Sequence, residues 1–433
     1  MRSPPRWVAL FTRRGVLDGA VAILVAASCL ACGEASPPAT NPAGDDSTTD
    51  DGISRPPLEA PPEPVDEPSP SPPVPEPCEE YEPTDLSELQ VRERDGVTRI
   101  EREDGPIVLE GHHFTEPTRI FLTEANAGSV IRGNVFSDFS LDGGAVIGFG
   151  GAQDVRIEQN VFRNIGGNVV DRDVHAIAGG EGATDFTIRD NLFEDIAADG
   201  VQFGNLSGEG IRNILIEHND FRISPERIGM RGENGIDIKF ARGPIDIRAN
   251  VFSGFRPCPA DERAGCTGSG GEAVVVHFEN FDVSVQENLF SNSTQGLVVL
   301  EKIIRPGERP HRTKIVNNWF CGLENVGVRL TRAIVDAELY ANTFVLAGPS
   351  FVRFENAPDV ATYRDNLFVG DGSFPAALGD GAGENQHVPR LEDARLVDLD
   401  RCDLRVETGS PITAGSAIRD PERLGIQRQL CLE

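Results

Sequence analysis

The sequence predicts a right-handed parallel β-helix, an all-β solenoid in which short coils stack along one axis. Three observations point there. An Asn-x-Phe pair recurs nine times, at Asn134/Phe136, Asn160/Phe162, Asn191/Phe193, Asn219/Phe221, Asn250/Phe252, Asn288/Phe290, Asn318/Phe320, Asn342/Phe344 and Asn366/Phe368. The spacings between successive Asn residues are 26, 31, 28, 31, 38, 30, 24 and 24, which suit a coil of three short strands and are too short for propeller blades. Most pairs follow a segment in which apolar and polar residues alternate, such as Val155-Arg156-Ile157, Phe186-Thr187-Ile188 and Ile245-Asp246-Ile247, the mark of a half-buried strand.

The chain divides into four parts. Residues 1–32 read as an export signal, with Arg2, Arg6, Arg13 and Arg14 ahead of a short apolar run from Gly19 to Ala31. The run is too short to span a bilayer comfortably. Residues 33–85 are rich in Pro, Ser, Thr, Asp and Glu, and such a segment buries too little apolar surface to fold. It is expected to be a disordered, extended tether. Residues 86–395 carry the coils, and residues 396–433 are expected to cap the last one, since an uncovered coil exposes a sheet edge.

Within each coil the repeated Asn is expected in a turn, in the left-handed conformation. Stacked Asn side chains then hydrogen-bond from coil to coil, as in other in-register stacks. The Phe two residues later points inward and stacks on its counterparts. The composition agrees: Phe numbers 23, against 3 Tyr and 2 Trp, as if one packing slot were reused. No coil buries its apolar face alone, so the stack must be long. The 38-residue gap holds an insertion between Cys258 and Cys266.

The formal charge is −29, and residues 33–88 hold 15 acidic side chains against Arg55 alone. An excess of acid excludes nucleic acid as a partner. It also opposes a polyanionic polysaccharide unless a local basic patch or a bound cation offsets the field. Beyond Cys29 and Cys32 in the leader there are six cysteines, with no Cys-x-x-Cys pair to suggest zinc. The expected disulfides are Cys258–Cys266, then Cys402–Cys431, leaving Cys78 with Cys321; such bonds accord with export.

A second strand follows each Asn-x-Phe turn. Aligned, these strands begin Asp199-Gly200-Val201-Gln202, Asn234-Gly235-Ile236-Asp237-Ile238-Lys239, Glu272-Ala273-Val274-Val275-Val276-His277, Gln295-Gly296-Leu297 and Val326-Gly327-Val328-Arg329. The register turns Gln202, Asp237, Lys239, His277 and Arg329 outward, and makes Lys239 and His277 lateral neighbours about 4.8 Å apart. A second polar column, at the bend before the strand, holds His175, Asp199, Asn234, Glu272 and Gln295, with Glu233 adjacent. Later coils carry Val298 and Leu300 at the outward positions, so the polar cluster is local, as a site would be.

Aligned in this way, residues from about 100 to 395 resemble the pectin-lyase-like β-helix superfamily. Glu233–Lys239 resembles the catalytic strand of its polygalacturonases, and Ala198-Asp199-Gly200 the Asp of the preceding coil. Asn234 stands where they have a second Asp and Glu272 where they have His, and the later Arg-Ile-Lys motif is missing, which excludes a standard polygalacturonase. The superfamily's lyases fit better. β-Elimination on a uronic acid needs a neutralised carboxylate, a base for the adjacent proton and an acid for the leaving oxygen. The resemblance implies calcium on Asp237, Asp199 and Glu272 as neutraliser, Lys239 as base and His277 as acid or tuning cation. Gln202, His175, Glu233, Asn234 and Arg329 would bind substrate. An inverting glycosidase using Asp199 and Glu272, and a surface protein that binds carbohydrate or a partner without turnover, are the alternatives. Cys29-Leu30-Ala31-Cys32 resembles a bacterial lipoprotein box, making Cys32 the expected lipidation site and the chain an exported monomer, membrane-anchored or extracellular. Asp403-Leu404-Arg405 and Thr408–Ile412 resemble the closing motif of bacterial β-helix proteins.

Overall fold

The structure is a computed structural model. It describes residues 81–166, 173–180, 182–204, 210–227, 232–257, 270–300, 311–331, 334–345, 348–355, 360–375, 385–410, 412–416 and 424–425. The leader with Cys32, residues 33–80 of the acidic segment, and Cys78, Cys258, Cys266 and Cys431 lie outside these residues.

Among the described residues, three long sheets of eleven, eleven and ten strands run the length of the body, and coils contribute one strand to each in turn. The strands of these sheets pair in parallel, coil on coil, apart from one antiparallel pair at the N-terminal end, Gln90–Arg94 with Val97–Glu101. The chain is a parallel β-helix. One sheet carries the Asn-x-Phe strands, the second the alternating strands such as Gln153–Glu158, and the third the candidate site strands.

The repeat works largely as its spacing implies. Phe136, Phe162 and Phe193 are direct cross-strand partners. From Phe114 to Phe368 successive rings stack with centroids 4.5 to 5.2 Å apart. Beside them runs an asparagine ladder. Both the backbone N–H and the side-chain Nδ2 of Asn219 donate to Oδ1 of Asn250, at 2.9 and 3.0 Å. The same Nδ2 lies 2.9 Å from the carbonyls of Ile188 and Glu217. The ladder extends one rung past the repeat at each end, to the backbone N–H of His112 and the side chain of Asn385. Those rungs escape a search for Asn-x-Phe because His112 replaces the Asn and His387 the Phe.

The left-handed residue is the one before the Asn, not the Asn itself. Gln159, Asp190, His218, Ala249, Glu287, Asn317, Ala341 and Asp365 all have φ between 53° and 58°. The bend needs a positive φ, while the ladder needs the Asn amide turned inward, and one residue cannot meet both demands. Non-glycine residues in this region cost roughly 1–3 kcal/mol each, a strain the surrounding structure must hold in place.

The described part of the C-terminal segment lies along the flank of the Asn-x-Phe sheet, including its last strand, Gln386–Val388. A hairpin of Leu396–Asp398 with Asp403–Val406 packs Leu404 on a second apolar cluster formed by Trp319, Val345, Leu367 and Val369, the outward residues of that sheet. The tail then runs back towards earlier coils, where Gly415 donates to Asp365, Ser416 to Thr343 and Gly425 to Ala249. Among the described residues a disulfide joins Cys321 to Cys402, spanning 81 residues with Cα atoms 5.9 Å apart, and it ties this segment to the sheet. That overturns both the Cys402–Cys431 and the Cys78–Cys321 expectations: outward Cys321 faces the covering hairpin, not the N-terminal segment. At the other end Thr84 exchanges hydrogen bonds with Glu110, so the folded body takes in residues before Leu86.

Candidate functional site

The sheet of site strands places Val201, Ile236 and Val274 side by side facing the core, and Gln202, Asp237 and Val275 side by side facing out. Two residues on, Ile238 and Val276 return to the core and Lys239 pairs directly with His277. Alternation forces this result: with Ile at both odd positions of the strand Ile236–Lys239, Asp and Lys must share the opposite face.

Asp237 is the hub. Its side chain is 5% exposed, and Lys239 Nζ lies 2.6 Å from Oδ2 while His277 Nε2 lies 2.8 Å from Oδ1. The imidazole nitrogen is in close contact with the carboxylate without meeting hydrogen-bond geometry. The side chains of Lys239 and His277 keep 21% and 22% of their surface, so they form the solvent-facing layer over Asp237. His277 also stacks on Phe278, 4.3 Å between centroids. Burial alone would raise the Asp237 carboxyl, but His277 and Lys239 outweigh it and hold the group below the ordinary carboxylate range. For Lys239, burial pulls down while Asp237, Asp199 and Glu233 pull up, and the net shift is upward.

The bend column forms a second layer. Asp199 is fully buried; it accepts from Nε2 of Gln202 and Nδ2 of Asn234, both at 2.8 Å, and His175 Nδ1 lies 3.1 Å away. Gln202 Nε2 also reaches within 3.5 Å of Asp237 Oδ2, linking the two layers. Glu233 sits above. Burial first, and then the charges of Asp199, Asp173 and Asp237, push its carboxyl up to about 9, so it is a neutral acid at pH 7.

The surroundings of the expected site residues differ from what the strand pattern alone implies. Lys239 has carboxylate neighbours, which raise its pKa and favour the ammonium over a free base. Asp237, Asp199 and Glu272 do not fit a shared calcium site. Asp237 faces Lys239 and His277, Asp199 faces N–H donors and His175, and Glu272 accepts from the Gly270 N–H at 2.7 Å and from Gln295 at 3.0 Å. Among the described residues no three such side chains converge on a metal position. Of the Asp199–Glu272 pair, Asp199 is wholly buried and accepts from Gln202 and Asn234, away from the solvent a hydrolase dyad must reach. Arg329 lies outside the cluster, three strands on from Asp237, and donates through Nε and Nη2 to Glu355 at 2.9 and 3.0 Å. The structure brings together His175, Asp199, Gln202, Glu233, Asn234, Asp237, Lys239 and His277. The sequence reading undervalued Glu233, whose signal was its place beside two acidic columns. It missed Arg99, Arg119 and Phe121, which share the outer face of the same sheet.

No protein-family model matches the chain, and no curated protein matches it in sequence. Solved structures similar to it include a family 6 polysaccharide lyase from Pseudopedobacter saltans, with TM-score 0.38, 11% identity, 77% of this chain and 95% of that one covered. A mannuronic acid-specific family 6 lyase from the human gut microbiota gives 0.38, 15%, 67% and 74%. The A-module of an Azotobacter vinelandii mannuronan C-5 epimerase gives 0.31, 12%, 68% and 84%. By its own sheet topology, this chain is a nearly all-β protein of the parallel β-helix class.

Proposed function

We propose that this protein is an exported, membrane-tethered enzyme that cleaves a uronic acid-containing polysaccharide by β-elimination on the outer face of the site sheet. The carrying observation is Asp237 bridging Lys239 and His277 with a neutral carboxylic acid, Glu233, beside them. Environments that drive neighbouring titratable groups apart in pKa assign acid and base roles. Lys239, held cationic by Asp237, neutralises the substrate carboxylate in place of a metal. His277, its Nε2 turned to Asp237, presents Nδ1 as the base, in the way a carboxylate orients a catalytic imidazole. The base takes the proton next to the carboxylate, the electron pair forms the C4–C5 double bond, the C4–O bond breaks, and Glu233 gives its proton to the departing oxygen. Water then returns the proton from His277 to Glu233. Gln202 and Asn234 hold the carboxylates in register.

The test is turnover of a panel of uronans by the full chain and by His277→Ala, Lys239→Ala and Lys239→Arg, followed through the ultraviolet absorbance of the unsaturated product. His277→Ala is expected to lose activity, and Lys239→Arg to retain more than Lys239→Ala because the charge persists. Equal activity in all four sinks these roles. Uronan binding without any product would leave the same face as a binding surface.

A further inference from the structure

The outer face of the site sheet carries a second feature, at its N-terminal end. Arg92 and Arg99 are direct partners across the antiparallel pair, and Arg99 and Arg119 across the next, parallel one. The three guanidinium side chains therefore form one row on one face. Elsewhere in this acidic chain arginines are matched to carboxylates, as in Arg132–Glu110, Arg163–Glu194 and Arg248–Glu217. Among the described residues none of these three forms an ion pair. Nε of Arg99 and Nε of Arg119 are buried and lack a hydrogen-bond partner, while Arg119 donates through Nη2 to the Gly143 carbonyl. Glu101 shares the face, across from Gln90, without reaching the arginines. Two like charges stacked in a partly buried position destabilise the free protein: burial, and then Arg99, lower the Arg119 pKa.

Two residues along from Arg119 on the same face, Phe121 is 42% exposed. The site strands of the next two coils have Gly148 and Gly150, then Ala178 and Gly180, at their outward positions, with Gly204 following Phe203 in the coil after. The Phe121 ring lies over Gly148, where a Cβ would come within 3.1 Å of Cδ2. A side-chain-poor floor thus joins the aromatic ring and the arginine row to Gln202, Asp237 and Lys239. Arg119 lies four strands from Lys239 in the sheet, roughly 19 Å at the usual strand spacing.

We infer that Arg92, Arg99 and Arg119, with Phe121 as a stacking platform, form a remote subsite that binds the carboxylates of an acidic polysaccharide whose chain runs along the solenoid axis to Lys239. The inference rests on the reading of the face as a uronan site and deepens it. It also supplies the local basic patch that a polyanion needs to approach a protein of net charge −29. Guanidinium pairs suit planar carboxylates, and an apolar ring suits a sugar face.

The experiment measures binding of labelled oligogalacturonates, a trisaccharide and a decasaccharide, and of a neutral dextran decasaccharide, to the full chain. The wild type is compared with Arg99→Gln/Arg119→Gln, Arg119→Lys and a control, Arg156→Gln, on another sheet. The double variant is expected to weaken decasaccharide binding roughly tenfold or more, with Arg119→Lys losing less and Arg156→Gln nothing. The wild-type preference for the decasaccharide over the trisaccharide should shrink with it. Near-ultraviolet circular dichroism checks folding, and Arg119→Lys keeps the test informative if the double variant unfolds. Wild-type binding that the double variant reproduces, or equal affinity for dextran, overturns the arginine subsite while leaving the lyase reading intact. A decasaccharide that binds through the arginines yet yields no unsaturated product sinks the lyase reading and leaves the subsite standing.

Discussion

Replacing Asp237 by Asn changes one atom and removes the charge on which the site is built. Asn has nearly the same shape, so its place between Gln202 and Val275 on the outer face is kept. What is lost is the anion 2.6 Å from Lys239 and 2.8 Å from His277. Removing one partner of a buried ion pair costs roughly 3–5 kcal/mol, because the remaining charge is left uncompensated. Here about a fifth of the Lys239 side chain still reaches water, so the low end applies and Asp237→Asn should destabilise the fold by about 3 kcal/mol. The second half of the argument is the repair. Asp237→Asn/Lys239→Met removes the stranded cation as well, and should recover most of the loss, leaving a deficit of about 1 kcal/mol or less. Denaturant unfolding of wild type, both single variants and the double variant at pH 7 gives the full cycle. A loss below about 0.5 kcal/mol in Asp237→Asn, or additive single effects, would refute the claim that Asp237 fixes the charge of Lys239.

Four further outcomes follow from contacts elsewhere in the structure. Glu233 has a folded pKa of about 9 against an ordinary 4.5, so the folded state holds an extra proton between those values. Its stabilising share is full below pH 4.5 and lost as pH rises to 9, at no more than about 1.4 kcal/mol per pH unit. Glu233→Gln should therefore grow more stable than wild type through that window, and a stability difference independent of pH would contradict the neutral acid. For the same reason kcat on a uronan should fall as pH passes through about 9, where Glu233 ionises. Asn219→Ala should cost about 3 kcal/mol or more, since it strands the Asn191 donors and the Ile188 carbonyl in the core; a loss under 1 kcal/mol in thermal or denaturant unfolding would deny the ladder its role. Cys321→Ser/Cys402→Ser should cost about 4 kcal/mol, given the 81-residue separation the bond closes, and an unchanged midpoint would argue against it.

The axial register was legible because it rests on a periodic demand. Every coil needs the same inward Phe and the same laddered Asn, so spacing alone put Lys239 beside His277 and Gln202 beside Asp237. What could not be read was anything set by neighbours across coils in three dimensions. The upward shift of Lys239 comes from Asp237, Asp199 and Glu233 together, and a reading of its strand alone takes in only the first. The Asn turn was misplaced by one residue, because the sequence at the preceding position is varied: Gln159, His218 and Ala249 carry no common signature of a left-handed bend. The flank covered by Leu404 went unseen because Trp319, Val345 and Val369 occupy outward positions, where strand alternation predicts solvent. The arginine row was hidden for another reason. Arg92, Arg99 and Arg119 lie before the first full repeat, and Arg92 meets Arg99 only through an antiparallel turn that the repeat does not contain.

Proton NMR of the products of a uronan digested by the purified full chain distinguishes the chemistries most directly. One vinylic proton for each new reducing end is the expected result, absent with His277→Ala. New reducing ends without that resonance would mean hydrolysis, and no cleavage of any uronan at all would remove the catalytic role assigned to Lys239, His277 and Glu233.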